Sequence, residues 1–321
     1  MSGPANPATN AARRQCADAV LMVRPKSFGF NPDTATTNAF QRRTAPGGAD
    51  AAEAAVREFD RLVKALRTEG IDVCVVADTA EPKKPDAVFP NNWVSFHEDG
   101  TLVLYPLAHA SRRSERREEV FEQAVSELNF HLTHLLDLTW YEAQGKYLEG
   151  TGSLVLDHMN RVAYACASPR TDPGLVTEWG RELGYEPLSF AAADRAGVPL
   201  YHTNVCLWIG AQVAMVAAEA IAKGDRERVL RKLTDSGREV LTIGERELGH
   251  FAGNMLELAT WDEALGDSRV LVMSESAKES LDPRTYQQLS GATDTVLSVP
   301  VPTIEALGGG SVRCMLAEVF R

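Results

Sequence analysis

The stretch Glu305-Ala-Leu-Gly-Gly-Gly-Ser-Val-Arg-Cys314-Met-Leu-Ala-Glu-Val-Phe320 decides how the rest of the chain is read. Three consecutive glycines let a backbone turn sharply and approach another group closely. The apolar residues Met315, Leu316, Ala317, Val319 and Phe320 then predict a short buried strand. Cys314 therefore stands where a Gly-rich loop becomes a fixed element, a setting that can present a thiolate, partly exposed, to a small molecule. Because the glycines precede a predicted strand and not a helix, a phosphate cradle is not expected there, and no GxGxxG or P-loop opens a helix elsewhere.

The composition narrows the class of protein. The chain has 321 residues, 44% of them hydrophobic and 24% charged, enough for a sizeable core. A net charge of −11 argues against a general nucleic-acid binder, although an acidic cleft suits a cationic small molecule. No apolar run reaches about 18 residues, so no transmembrane helix is predicted. Residues 1–18 read as a loose tail without an apolar signal core, and residues 19–321 as one catalytic domain. The five cysteines, Cys16, Cys74, Cys166, Cys206 and Cys314, show no CxxC pair. A reduced, cytoplasmic setting fits, and neither a disulfide framework nor a metal site is expected. Cys74, Cys166 and Cys206 lie in apolar runs and read as packing residues.

Along the chain, hydrophobic periodicity predicts a strand over 19–23, a helix over 51–69 ended by Gly70, and a strand over 71–76. Asp99-Gly100 predicts a hairpin turn. Further hairpins and helices follow, to a helix near 283–290 and a strand over 295–299. Strands and helices alternate, yet many strands come in pairs. The recurring unit is strand–helix–strand–strand, about five times over.

Several polar residues stand at the ends of apolar runs. Phe89-Pro-Asn91-Asn92 leaves one of them. Asn31, Asn38 and Gln41 lie in a polar stretch that reads either as ordinary turns or as amide-bearing recognition groups. Glu149 is followed by Gly150-Thr-Gly152, which opens space around its carboxylate; a turn glutamate in water is the other reading. His202 stands where a buried strand is predicted to begin, and alternation would put His202, Asn204 and Cys206 on one face. It is either a satisfied core histidine or a general acid and base. By residue type, Cys314, His202 and Glu149 supply a nucleophile, a proton carrier and a carboxylate. Separation in sequence is no obstacle to their meeting in space.

These motifs resemble, in order, those of the guanidino-group-modifying enzymes of the pentein, or amidinotransferase, superfamily. Phe89-Pro-Asn-Asn92 resembles its first substrate-holding turn and Leu148-Glu-Gly-Thr-Gly-Ser153 its Glu-Gly-Gly-Asp turn. Ser168-Pro-Arg170-Thr-Asp172 is similar to a motif whose arginine meets a substrate carboxylate. His202-Thr-Asn204 resembles its His-x-Asp, and Gly308 to Met315 its C-terminal catalytic loop. The stretches Arg24 to Gln41 and Phe251 to Leu256 resemble in particular a branch of amidinotransferase-like proteins linked by name to citrulline utilisation. The resemblance implies a five-bladed α/β propeller of ββαβ units around one central site, without a cofactor.

Where deiminases carry aspartates, this chain has Asn92 and Asn204. A guanidinium presents only donors and suits two carboxylates, whereas an amide offers a donor and an acceptor and suits a ureido group. The resemblance thus implies a cysteine hydrolase acting on C–N bonds of a guanidino or ureido amino acid, of the citrulline or arginine type, ending at ornithine, ammonia and carbon dioxide. In it, Cys314 attacks, His202 moves protons, and Glu149 holds the substrate's N–H groups. Asn92 and Asn204 position the head group beside Asn91, Phe89 and Asn31, and Arg112 and Arg170 meet the α-carboxylate. Deiminase or amidinotransferase chemistry are the alternatives, then a non-catalytic binding pentein. The partner is a small guanidino or ureido amino acid, with no nucleic acid and no membrane. A homo-oligomer is allowed, since Trp93, Trp140, Trp179, Trp208 and Trp261 read equally as core or interface.

Overall fold

The computed structural model describes residues 14–44, 50–262 and 266–321. Its strands form five three-stranded sheets. In four of them a hairpin is followed by a helix and a third strand parallel to the hairpin's second strand. These are β3 (Val94–Phe96), β4 (Thr101–Leu104) and β5 (His134–Asp137), then β6 (Val155–Asp157), β7 (Val162–Cys166) and β8 (Glu186–Phe190). Next come β9 (Leu207–Ile209), β10 (Val213–Val216) and β11 (Glu239–Thr242), then β12 (Leu256–Asp262), β13 (Gly266–Ser274) and β14 (Thr295–Val299).

The fifth sheet joins the two ends of the chain. β1 (Ala19–Arg24) runs parallel to β2 (Asp72–Ala77), and β15 (Ala317–Val319) pairs with it antiparallel, Ala19 opposite Val319. The sheets are the blades of a five-bladed propeller, the expected ββαβ architecture. The helix between β1 and β2, Ala51–Thr68, shows why the local sequence folds so. Asp50 caps it by accepting from the backbone N–H groups of Ala52 and Glu53. Ala55, Phe59, Leu62, Val63 and Leu66 form its buried face. Gly70, with φ +81°, takes the left-handed conformation that releases the chain into β2.

The first strand of every blade follows a tight turn, and the five turns meet at the centre: Pro90–Asn92, Gly150–Ser153, Thr203–Val205, the turn from Phe251 to Asn254, and Val312–Met315. Side chains link them in a ring. Asn91 Nδ2 donates to Thr151 Oγ1 at 3.3 Å, Thr203 Oγ1 donates to Ser153 O, and Asn254 Nδ2 donates to Asn204 O at 3.0 Å. Asn254 Nδ2 also reaches Cys314 Sγ at 3.3 Å, and Gly310 lies against the Phe89 ring.

Three local expectations change. Gly308 ends a helix, Pro302–Gly308, and Gly309 caps it at φ +62°, so Cys314 lies in a one-turn helix and the strand begins only at Ala317. His202 and Asn204 are not on a strand; the turn Thr203–Val205 breaks the alternation, and Cys206 goes into the hydrophobic core instead. The tail expected over 1–18 is too long. Residues 1–13 lie outside the described residues, but Gln15, Cys16 and Ala17 are buried, and Gln15 Nε2 donates to Leu156 O and Ile209 O. Cys74, Cys166 and Cys206 are buried as expected. Trp93, Trp179 and Trp208 are core, whereas Trp140 and Trp261 are exposed.

Candidate active site

A small enclosed cavity lies above the ring of turns. Asn92, Phe89, Arg112, Arg170, His202 and Cys314 line it, together with Thr34, Asn38, Asp86, Tyr201, Gly308 and Gly310. Its volume, about 10 Å³, is that of one water molecule, so an amino acid needs the cover to open. The cover is the polar stretch after β1. Asn38 Nδ2 donates to Gly309 O at 3.2 Å, Gln41 Nε2 to Leu307 O at 3.1 Å, and Arg170 Nη2 holds Thr34 O at 2.8 Å. Phe40 packs against Phe251 and Tyr201. Under this cover Cys314 is buried, not partly exposed as expected.

His202 Nε2 lies 2.8 Å from Glu149 Oε2, while Glu149 Oε1 accepts from the Ala108 backbone at 3.0 Å. Burial raises the cost of the carboxylate, yet Arg170, His202 and Arg112 outweigh it and hold Glu149 far below the usual carboxylate range. Burial pushes His202 down to about 4 despite the glutamate, so the resting imidazole is neutral. Glu149 was expected to grip substrate N–H groups. Both its oxygens are instead engaged, and it does not line the cavity; it orients His202. Gly152 makes this packing feasible, because a Cβ there would lie 2.7 Å from both Asn92 Nδ2 and His202 Nδ1.

Asn92 has a fixed direction. Arg112 Nη1 donates to Asn92 Oδ1 at 2.7 Å, and Asn92 Nδ2 donates to Asn91 Oδ1 at 2.9 Å. Arginine has no acceptor, so the amide must turn its oxygen to Arg112 and its NH₂ to Asn91. Arg112 is itself clamped by Glu115, Nε to Oε1 at 3.0 Å and Nη2 to Oε2 at 2.7 Å. Burial raises Glu115 to about 7, against the lowering effect of Arg112. Arg112 was expected to meet the α-carboxylate; its donors are here engaged by Glu115 and Asn92. Arg170 spends its donors on Thr37, Thr34 and Glu149, and two of these three partners belong to the cover.

Asn204 does not line the cavity but stands behind the sulfur, its Nδ2 3.5 Å from Cys314 Sγ. Asn91 likewise backs Asn92. Asn31 Nδ2 donates to Asp86 Oδ2 at 2.7 Å and so supports Asp86 without touching the cavity. Asp86 is a site residue the sequence reading missed. It is buried, lines the cavity, and has an Oδ1 without a hydrogen-bond partner. Its signal was an acidic residue three positions before Phe89, masked by the neighbouring lysines. Asn254 was noticed only within a family-like stretch. Among the described residues no cluster of three or more histidines, cysteines and carboxylates could hold a metal ion, and no helix is long and apolar enough to cross a membrane.

Comparison with known proteins gives the family and the fold. The profile of a family described as N,N dimethylarginine dimethylhydrolase, eukaryotic, matches residues 24–321. No curated protein matches by sequence. Among solved structures, the arginine dihydrolase ArgZ from the ornithine–ammonia cycle in Cyanobacteria superposes with a TM-score of 0.70 at 19% identity. That match covers 94% of this chain but 40% of ArgZ, so the chain spans about two-fifths of that relative. Against the N-terminal domain of ArgZ bound to substrate, the TM-score is 0.70 at 18% identity, covering 94% of this chain and 98% of the domain. DDAH from Pseudomonas aeruginosa, complexed with citrulline, gives a TM-score of 0.62 at 16% identity, covering 94% of this chain and 99% of the other.

Proposed function

The chain belongs to the N,N-dimethylarginine dimethylhydrolase family, and on that footing we propose that it hydrolyses the C–N bonds of a ureido or guanidino amino acid of the citrulline or arginine type, with ornithine, ammonia and carbon dioxide as products. The family makes it a cysteine-dependent hydrolase of guanidino C–N bonds; the substrate and the residue roles are our reading. The observation that carries it is the shared cavity. The sulfur of Cys314 and the ring of His202 face one enclosed space, with a buried carboxylate behind the ring.

In this reading the Cys314 thiolate attacks the central carbon of the head group. His202, neutral at rest, takes the Cys314 proton as the thiolate forms and passes it to the departing nitrogen; ammonia leaves, and the carbon remains bound to sulfur. His202, now neutral, takes a proton from water as it attacks, and the C–S bond breaks. For a ureido substrate the released carbamate collapses to carbon dioxide and ornithine. For a guanidino substrate the first round leaves a ureido compound, and a second round completes the reaction. Glu149 stabilises the imidazolium between steps, as the carboxylate does in other nucleophile–histidine pairs.

The amide of Asn92 favours a ureido head group. Its oxygen is taken by Arg112, which leaves the NH₂ to meet a carbonyl oxygen as donor to acceptor, whereas a guanidinium offers it only further donors. Asp86, with its free oxygen, and Arg170, once the cover lifts, suit the α-amine and α-carboxylate. ArgZ, an arginine dihydrolase, and the citrulline-bound DDAH support the choice of these two compounds. The test is incubation of the purified protein with citrulline and with arginine, measuring ornithine and ammonia, with Cys314→Ser as control. Ornithine and ammonia formed only by the unmutated protein support the reading. Consumption of neither compound, or turnover surviving in Cys314→Ser, sinks it.

A further inference from the structure

Four of the five central turns carry residues already placed in the site: Asn92, the Glu149–Gly152 segment, His202 with Asn204, and Cys314. The fifth carries Asn254, which occupies the same place ahead of the first strand of its blade. Its turn is built at a conformational cost. Phe251 holds φ +60°, a value that bulky side chains rarely adopt. Gly253 is pressed so close to the next turn that a Cβ would lie 2.4 Å from Val205 O. Strain of this kind concentrates where a side chain must be delivered to one spot.

The spot is the sulfur. Asn254 is fully buried, and its Nδ2 divides between Asn204 O at 3.0 Å and Cys314 Sγ at 3.3 Å. Asn204 approaches the same sulfur with Nδ2 at 3.5 Å and, farther off, with Oδ1 at 3.9 Å. The Asn254 carbonyl oxygen, by contrast, has no hydrogen-bond partner, so the donor end alone fixes the side chain. Among the described residues no guanidinium or ammonium group is hydrogen-bonded to Cys314 Sγ. Two amide donors on one sulfur favour the form that accepts from both, which is the anion.

We propose that Asn254 is a catalytic residue: with Asn204 it forms a two-amide cradle that holds the Cys314 sulfur as the nucleophilic thiolate and aims it into the cavity. This rests on the reading of Cys314 as nucleophile, but not on the identity of the substrate. The cradle supplies electrostatic support without a fixed cation, which leaves room for an uncharged head group over the sulfur.

The test compares iodoacetamide alkylation of Cys314, followed by peptide mass spectrometry, in the unmutated protein and in Asn254→Leu at pH 7 and pH 10. We expect alkylation about tenfold or more slower in the variant at pH 7. At pH 10, where solvent removes the proton without help, the two rates should come within about threefold. A loss of packing alone would not be repaired by alkali. Equal rates at pH 7, or a deficit that persists undiminished at pH 10, overturn the proposal. Should Asn254→Leu fail to fold, the near-isosteric Asn254→Asp carries the same comparison, with a larger deficit expected at pH 7 because a carboxylate repels the anion. Because alkylation reports on the sulfur alone, a protein that behaves as expected here yet consumes neither citrulline nor arginine would lose its proposed substrate and keep this inference.

Discussion

Arg112 Nη1 donates to Asn92 Oδ1 at 2.7 Å, and this one contact decides which way round the amide sits. The direction follows from chemistry, since a guanidinium can only donate. Asn92→Asp would replace the NH₂ by an acceptor and add a negative charge beside the proposed head group. We expect kcat/KM for citrulline to fall about tenfold to a hundredfold, as for loss of one directed hydrogen bond, while arginine loses less. Steady-state kinetics on both compounds check it; an equal loss on both would remove the argument from amide direction.

In the proposed reaction Glu149 acts on substrate only through His202. Glu149→Gln keeps the shape but removes the charge that fixes and stabilises the ring. We expect kcat to fall about 10³-fold with KM changed by less than about threefold, the pattern of a group that works in the transition state. A large rise in KM at constant kcat would return Glu149 to the substrate-gripping role expected from sequence.

Gly152 has space for nothing larger. In Gly152→Ala the new methyl would meet Asn92 Nδ2 and His202 Nδ1 at 2.7 Å. Displacing either by a fraction of an ångström should cost about a hundredfold in kcat. The thermal midpoint should move by only a few degrees, about 1 kcal/mol in a chain of this size. Calorimetry beside activity separates these outcomes, and near-parent activity would show that the site tolerates looseness the geometry denies.

Two buried histidines, His202 and His97, pull stability down in mild acid, against Glu115, whose raised carboxyl pulls the other way. Burial lowers both His202 and His97 to about 4. The unfolded chain takes up these protons near 6.5, so between about 6.5 and 4 it binds more protons than the folded one, and stability drops as pH falls. Each histidine contributes a slope of about 1.4 kcal/mol per pH unit in that window. His97 hydrogen-bonds Ser95 away from the cavity, so His97→Gln should remove one such slope and leave the site intact. Denaturant titrations from pH 7 to 4 measure it; an unchanged slope would mean that His97 takes its proton without unfolding.

Strand and helix periods made the blades readable, because each blade repeats a short hairpin and one amphipathic helix. The strand at Thr295–Val299 and the helix from Ala51 follow the hydrophobic pattern almost to the residue. The turns carrying the site were less readable. Four residues such as Val312–Met315 are too few to show a period, so apolar Met315 and Leu316 merged with the following strand. Cys314, His202 and Glu149 stood out by chemical type and by order along the chain. What their partners do depends on contacts between residues far apart. Nothing in the run Arg112-Arg113-Ser-Glu115 says that its first arginine turns inward to an asparagine twenty positions earlier. Asp86, beside Lys83 and Lys84, carries no period or motif of its own to mark it as buried, and Lys84 is itself fully buried.

Pairing of Ala19 with Val319 ties the first strand to the last, five residues beyond the Cys314 sulfur. Contacts of such long range form late and slowly. A half-built ring therefore has no assembled cradle behind Cys314 and no imidazole held at its cavity. Chemical competence arrives together with closure, so a nascent or partly opened copy is spared carrying a primed electrophile trap through the cell.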